Sequence, residues 1–311
     1  MTRTTTSLKI LGALALSLGL AGSAVAGDET EFTRFVSGEQ QSTGELQIAK
    51  ATYRHPQSDV EIILYGVVHI ADKAYFDAVQ KDLDSYQSVL WEGVAPGKKK
   101  VKPDESIKGI GEMQHLMGGA LGLTFQKDGI DYKRDHFVHA DMNMDQLMEA
   151  SGGDVTKALP GAGMLGPLMK NLGPMLKKMG PLLKTLMKSN PQMQNNMKFQ
   201  FAQQLSKASD AMGGETQRVI IEARNKVCME VLERELPKHK TGKIAIFYGA
   251  AHMKDFHERL AKLGFKQADK TWMTAWAIGV ERGESETVDT PKKPVKKDTP
   301  KTEPKSGKRW F

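Results

Sequence analysis

Two runs of the chain end alike. "VEIILYG" at Val60–Gly66 is followed by Val67, Val68 and His69, and "KIAIFYG" at Lys243–Gly249 by Ala250, Ala251 and His252. Each run is short, apolar and closed by glycine, the pattern of a strand buried on both faces. Such strands need helices on both sides of their sheet. The chain supplies helical spacing in "AYFDAVQKDLDSY" after the first run and "DFHERLAKLGF" after the second. A longer helix is expected over Glu215–Leu236, stopped by Pro237. "SVLWEG" at Ser88–Gly93 reads as another buried strand ending on Glu92, and "WMTAWAIGV" as a final one. The alternation predicts an α/β fold: a central mixed, largely parallel sheet flanked by helices.

The ends of the chain have a different character. Arg3 and Lys9 precede an apolar run at Ile10–Ala21, and "AVA" at Ala24–Ala26 is a small-residue cleavage site. This is the pattern of a secretory signal peptide over residues 1–26, and it predicts an exported, periplasmic or secreted protein. Residues 283–311 are rich in Pro, Lys and Thr with almost no apolar residue before Trp310, so a disordered basic tail is expected. Of the +7 net charge, two units fall in the signal peptide and three in the tail. The domain between them, residues 27–282, is close to neutral, which argues against nucleic acid as a partner. The chain has one cysteine, Cys228, so no internal disulfide can form and stability must come from a packed core.

An insertion at about 154–214 breaks the α/β pattern. Gly-Pro recurs at 166–167, 173–174 and 180–181, a period of seven, which suggests short helical pieces each begun at a proline. From Lys157 to Lys207 there are eight lysines, no acidic residue and seven of the seventeen methionines. This helical Met/Lys-rich composition suits an adaptable apolar surface, such as a mobile lid or a membrane-surface contact through 157–207. It equally suits a helical cap whose Met and Leu side chains pack on the domain.

Ligands of open α/β sheets gather beyond the carboxyl ends of the strands. His69, Glu92 and His252 each follow an expected strand end. The glycine before each histidine would let the chain turn as it leaves the sheet. Two imidazoles and a carboxylate at one mouth suit two chemistries. They can ligate a catalytic divalent metal, or one histidine can act as general base on water while the carboxylate orients it. Both lead to hydrolysis.

The ordered set of Gly66-x-x-His69, "LWEG" with Glu92, "EARN" with Arg224 and Asn225, and Gly249-x-x-His252 resembles the TraB/GumN/Tiki family. "HADMNMDQL" at His139–Leu147 resembles that family's middle segment. The resemblance spans about Val60 to Val280 and implies an erythromycin-esterase-like α/β fold. It implies a site carried by His69, Glu92 and His252, holding a divalent metal such as Mn, Co or Zn. Arg224 would be an oxyanion or substrate-carboxylate partner, and Asn225, His139 and Asp141 would line the substrate. The expected activity is a metal-dependent peptidase or related hydrolase acting on a peptide or a small ester or amide. The same resemblance leaves room for a metal-independent esterase-like site, or for a protein that sequesters a peptide or haem without turnover.

Other motifs carry less. "HFVH" at His136–His139 spaces two histidines as a helix would need for a metal, but a loop or core role is expected. "HER" at His257–Arg259 lacks the second histidine of a zincin motif and reads as a solvated helix face. "GAGMLG" at Gly161–Gly166 follows no strand and runs into Pro167, which excludes dinucleotide binding. Cys228 falls on the apolar stripe of its helix and is expected to pack. The chain has no Gly-x-Ser-x-Gly elbow.

Overall fold

The computed structural model describes residues 28–98, 115–154, 178–182, 184–208, 214 and 217–279. The signal-peptide and tail readings, and two of the three Gly-Pro pairs, lie outside these residues. The strands are β1 (Thr33–Ser37), β2 (Gly44–His55), β3 (Ser58–Val67), β4 (Ile70–Ala71), β5 (Ser88–Trp91), β6 (Thr124–Phe125), β7 (Phe137–His139), β8 (Thr241–Gly249) and β9 (Lys266–Ile278). The α-helices are α1 (Lys73–Leu83), α2 (Gln126–Gly129), α3 (Met144–Ala150), α4 (Pro191–Ala208), α5 (Ala223–Glu235) and α6 (Met253–Lys262). Among the described residues no helix is long and apolar enough to cross a membrane.

The mixed sheet has seven strands and helices against it, as expected of an α/β chain. Strands β3, β8, β5 and β7 lie side by side and parallel, with Val67 opposite Gly249, Trp91 opposite Phe247, and Trp91 also opposite His139. Their carboxyl ends are therefore level. The β3 and β8 side chains alternate between two cores. Ile63, Tyr65, Val67, Ala245 and Phe247 face α1, while Val60, Ile62, Leu64, Ile244, Ile246 and Tyr248 face α5 and α6. Burial on both faces is why these runs read as unbroken apolar stretches.

An antiparallel flank completes the sheet. Residues 33–55, for which no element was expected, form β1 and β2. Strand β2 pairs with β9 along one edge and shares its other edge between β1 and β3. Strand β9 begins at Lys266, six residues before the expected final strand. Its first half is mostly exposed and polar, so only pairing with β2 reveals it as a strand. The long helix expected over Glu215–Leu236 is composite: a π-helical turn at Gln217–Glu222, then α5, then a 3-10 turn at Leu236–Lys238.

The described part of the insertion is helical, at residues 178–182, 184–189 and α4. Helix α4 packs on the domain: Ala202 is in the core, the Phe199 ring meets Phe35 edge-on at 5.1 Å, and the buried Lys198 ammonium lies 3.8 Å from Asp72.

Candidate functional site

Four chain segments deliver polar side chains to the level edge of the parallel strands. Glu92 directly follows β5, Asp141 lies two residues past β7, His69 two past β3 and His252 three past β8. Arg224 and Asn225 reach the edge from the first turn of α5, just after the π-helical turn. Such turns add a residue to the helix and are frequent at functional sites.

Glu92 is the hub. Its Oε1 accepts from Arg224 Nη2 at 2.7 Å and its Oε2 from the Gly249 amide at 2.6 Å. Burial by itself would push its carboxyl up, but the Arg224 guanidinium, with His252 and His69, holds it well below the ordinary carboxylate range. Glu92 therefore stays ionised and is a poor proton acceptor. This contact also changes the reason for the glycine. Gly249 has φ −49° and neither it nor Gly66 has positive φ, so no sharp turn demands them. A Cβ at Gly249 would stand 3.3 Å from Glu92 Oε2, and one at Gly66 would stand 3.0 Å from the Ala49 carbonyl. Close approach, rather than a turn, is what glycine provides here.

Behind Glu92 sits a buried ion network. Arg224 donates from Nε to Asp141 Oδ1 at 3.0 Å and from Nη2 to Asp141 Oδ2 at 2.6 Å. Asp141 also accepts from the Gly93 and Met142 amides. The Asp141 side chain has no exposure and that of Arg224 only 9%. Asp141 thus anchors Arg224 instead of lining the cleft. Arg224 in turn has Nε and Nη2 committed to carboxylates, which places it as the holder of Glu92. Burial would lower the Arg224 pKa, but Glu92 and Asp141 outweigh it and keep the cation charged.

The histidines are each held by a carboxamide. Asn225 Nδ2 donates to the His252 carbonyl at 3.0 Å and to Asp255 Oδ2 at 2.8 Å, so its Oδ1 must face the ring. His252 Nδ1 lies 2.6 Å from that oxygen and therefore carries the proton. Its Nε2 lies 3.5 Å from Glu92 Oε1. Asn225 is fully buried, so it positions His252 and does not meet a substrate. His69 repeats the arrangement: Nδ1 is 3.0 Å from Oε1 of the buried Gln126, whose Nε2 donates to the Tyr132 hydroxyl at 2.8 Å. His69 itself is exposed.

His139 does not join them as a free ligand. Its Nε2 is 2.5 Å from the Gly93 carbonyl and its ring stacks edge-on against Trp91 at 5.0 Å. It belongs to strand β7, not to a helix, and His136 bonds away toward the Leu83 carbonyl. His257 is likewise engaged, with Nδ1 2.7 Å from the Tyr53 hydroxyl, so the solvated-face reading of "HER" gives way to a half-buried one. Cys228 is fully buried and burial pushes its thiol up, away from a nucleophile's range.

Gln126 and Tyr132 were not found from sequence. Both sit in a stretch with no periodic signal, and only the loop that brings α2 beneath His69 reveals them. Trp91 and Tyr132, 4.9 Å apart, add an aromatic wall next to Glu92.

For a divalent ion the donor types suit. Two donors on one edge of a tetrahedral site with bonds of about 2.1 Å are about 3.4 Å apart, against the 3.5 Å found between His252 Nε2 and Glu92 Oε1. Among the described residues, however, no group of three or more His, Cys, Asp or Glu side chains is arranged to hold a metal. The fit is therefore one edge of a site, not a complete cage. Comparison with models of known protein families, with curated proteins and with solved structures finds no match.

Proposed function

We propose that the chain is an exported hydrolase acting on an ester or amide bond, of the TraB/GumN/Tiki type. The observation that carries this reading is the His252–Glu92 pair: an imidazole fixed by Asn225 through Nδ1, with its Nε2 held 3.5 Å from a carboxylate that Arg224 keeps ionised. His252 Nε2 takes the proton from a water that attacks the carbonyl carbon, and returns it to the departing alcohol or amine as the C–O or C–N bond breaks. The imidazolium so formed is stabilised by Glu92 Oε1 on one side and by Asn225 Oδ1 on the other. Glu92 stays ionised because Arg224, braced by Asp141, holds it so. His69, exposed at the rim with its Nε2 bare, meets the substrate at the mouth of the site. Ordinarily such a base contributes about 10²–10⁴-fold.

The 3.5 Å donor spacing also favours a second reading, in which His252 Nε2, Glu92 and His69 hold Mn, Co or Zn. A bound ion would supply a water of lowered pKa. One experiment separates these. A library of peptides and small esters is incubated with wild type and with His252→Ala, each with and without chelator. Turnover that survives chelation and is lost in His252→Ala supports the first reading. Turnover lost on chelation and restored by Mn, Co or Zn moves the site to the second. Equal turnover by both proteins removes the hydrolase.

A further inference from the structure

The helical residues 178–182 and 184–189 present more apolar surface than the domain covers. Gly180 and Met187, seven apart and so on one face, are buried; a Cβ at Gly180 would meet Leu116 at 2.6 Å. Met179, Leu182 and Leu186 lie on a second face, within about 60° of one another and about a third of a turn from the first. They are 47%, 65% and 51% exposed. The Thr185 hydroxyl donates to the Pro181 carbonyl four residues back at 2.9 Å. Half of this helix's apolar arc is thus buried in the protein and half is bare.

The rest of the arc is cationic. Lys178, Lys184 and Lys188 are exposed, and no acidic residue occurs from Lys157 to Lys207. Lysines alone would suit any polyanion. A row of bare Leu and Met beside them needs an apolar phase next to the negative charge, and the headgroup–acyl boundary of an anionic bilayer offers both. Each lysine stands within a helix diameter of the apolar stripe, about 10 Å, comparable with the Debye length of about 8–10 Å over which lipid charge is felt.

We propose that the helical surface formed by residues 178–182 and 184–189 docks on an anionic lipid surface, with Met179, Leu182 and Leu186 entering the boundary. This helical surface packs on helical residues 115–121, where Gly119 lies beside Lys184 and the Ala120 carbonyl accepts from Gln194 of α4. Those residues lead into β6 and Gln126, the partner of His69.

The test is flotation of the chain from Gly27 to Phe311, basic tail included, with phosphatidylcholine vesicles with and without about 30% phosphatidylglycerol. Wild type is expected to float only with the anionic vesicles, and to be released by about 0.5 M salt. Leu182→Ser/Leu186→Ser keeps every lysine and the tail, and its two changes are at exposed positions that leave the core intact. It is expected to bind at least about tenfold more weakly, with an unchanged thermal melt. Wild type that stays with the unbound fraction overturns the proposal. So does a double variant that binds as wild type does, because the charges of the tail would then account for the attachment.

Discussion

The two Gly-x-x-His motifs are near-copies in sequence but opposites in surroundings. His252 is 3% exposed, in a 3-10 turn leading into α6, with the Tyr248 and Phe256 rings beside it. His69 is exposed, between β3 and β4. Both have Nδ1 tied to a buried carboxamide, from Asn225 in one case and Gln126 in the other. The motif therefore fixes where a histidine leaves the sheet, and a carboxamide from elsewhere in the chain engages its Nδ1. What covers the histidine then decides its work. The buried one lies beside an ionised carboxylate and can cycle a proton; the exposed one can meet what arrives from solvent.

The largest expected effect is on what the two histidines share, the charge of Glu92. Arg224→Met would leave Glu92 and Asp141 as two buried carboxylates without their cation, at a cost of about 3–5 kcal/mol in urea unfolding at neutral pH. The pH dependence follows from the lowered carboxyl. In wild type, Glu92 contributes stability that is fully present above the ordinary carboxylate pKa and is lost as pH falls through its depressed folded value. Without Arg224, burial raises that folded value above the ordinary one, so ionised Glu92 destabilises the variant at neutral pH and its protonation on acidification relieves that cost. The stability gap between wild type and Arg224→Met should therefore narrow from about pH 7 to about pH 4, and a gap that does not change with pH would show that Glu92 is not held by Arg224.

A smaller effect separates the two motifs directly. His252→Ala leaves the buried Asn225 Oδ1 without its donor and should cost about 1–3 kcal/mol. His69→Ala, at an exposed position, should stay within about 0.5 kcal/mol. Equal losses would erase the distinction between a buried and a rim histidine.

The smallest effect is spectroscopic. Long-range proton–nitrogen correlation spectra should find both rings with hydrogen on Nδ1, and Gln126→Leu should convert His69 alone to the Nε2–H form. An Nε2–H signal for His69 in wild type would break the parallel between the two carboxamides.

Several parts of this arrangement were legible before any coordinates. Strands β3, β5 and β8 carry unbroken apolar runs because both of their faces are covered, and His69, Glu92 and His252 follow those runs closely. Other parts had no local signature. Leu46, Ile48 and Tyr53 of β2 are interleaved with polar residues, and the exposed start of β9 has no apolar alternation at all. Gln126 lies in a four-residue helix among unpatterned residues. Asp141 and Asn225 were recognised as part of the site but assigned to the substrate. Sequence spacing cannot reveal that a carboxylate is sealed behind an arginine.

The sequence by itself determined the α/β alternation and the strand-end positions of the two histidines and the glutamate, because burial on both faces and a closing glycine are written in consecutive residues. It also determined the cationic, Met-rich character of the insertion. Only the tertiary structure decided that Arg224 and Asp141 lie behind Glu92, that Asn225 and Gln126 set the two imidazoles, and that Gly249 is glycine for the sake of a carboxylate. Each of those depends on contacts between residues far apart in the chain. Their energies come from excluding water around specific pairs of polar groups, which no local pattern encodes.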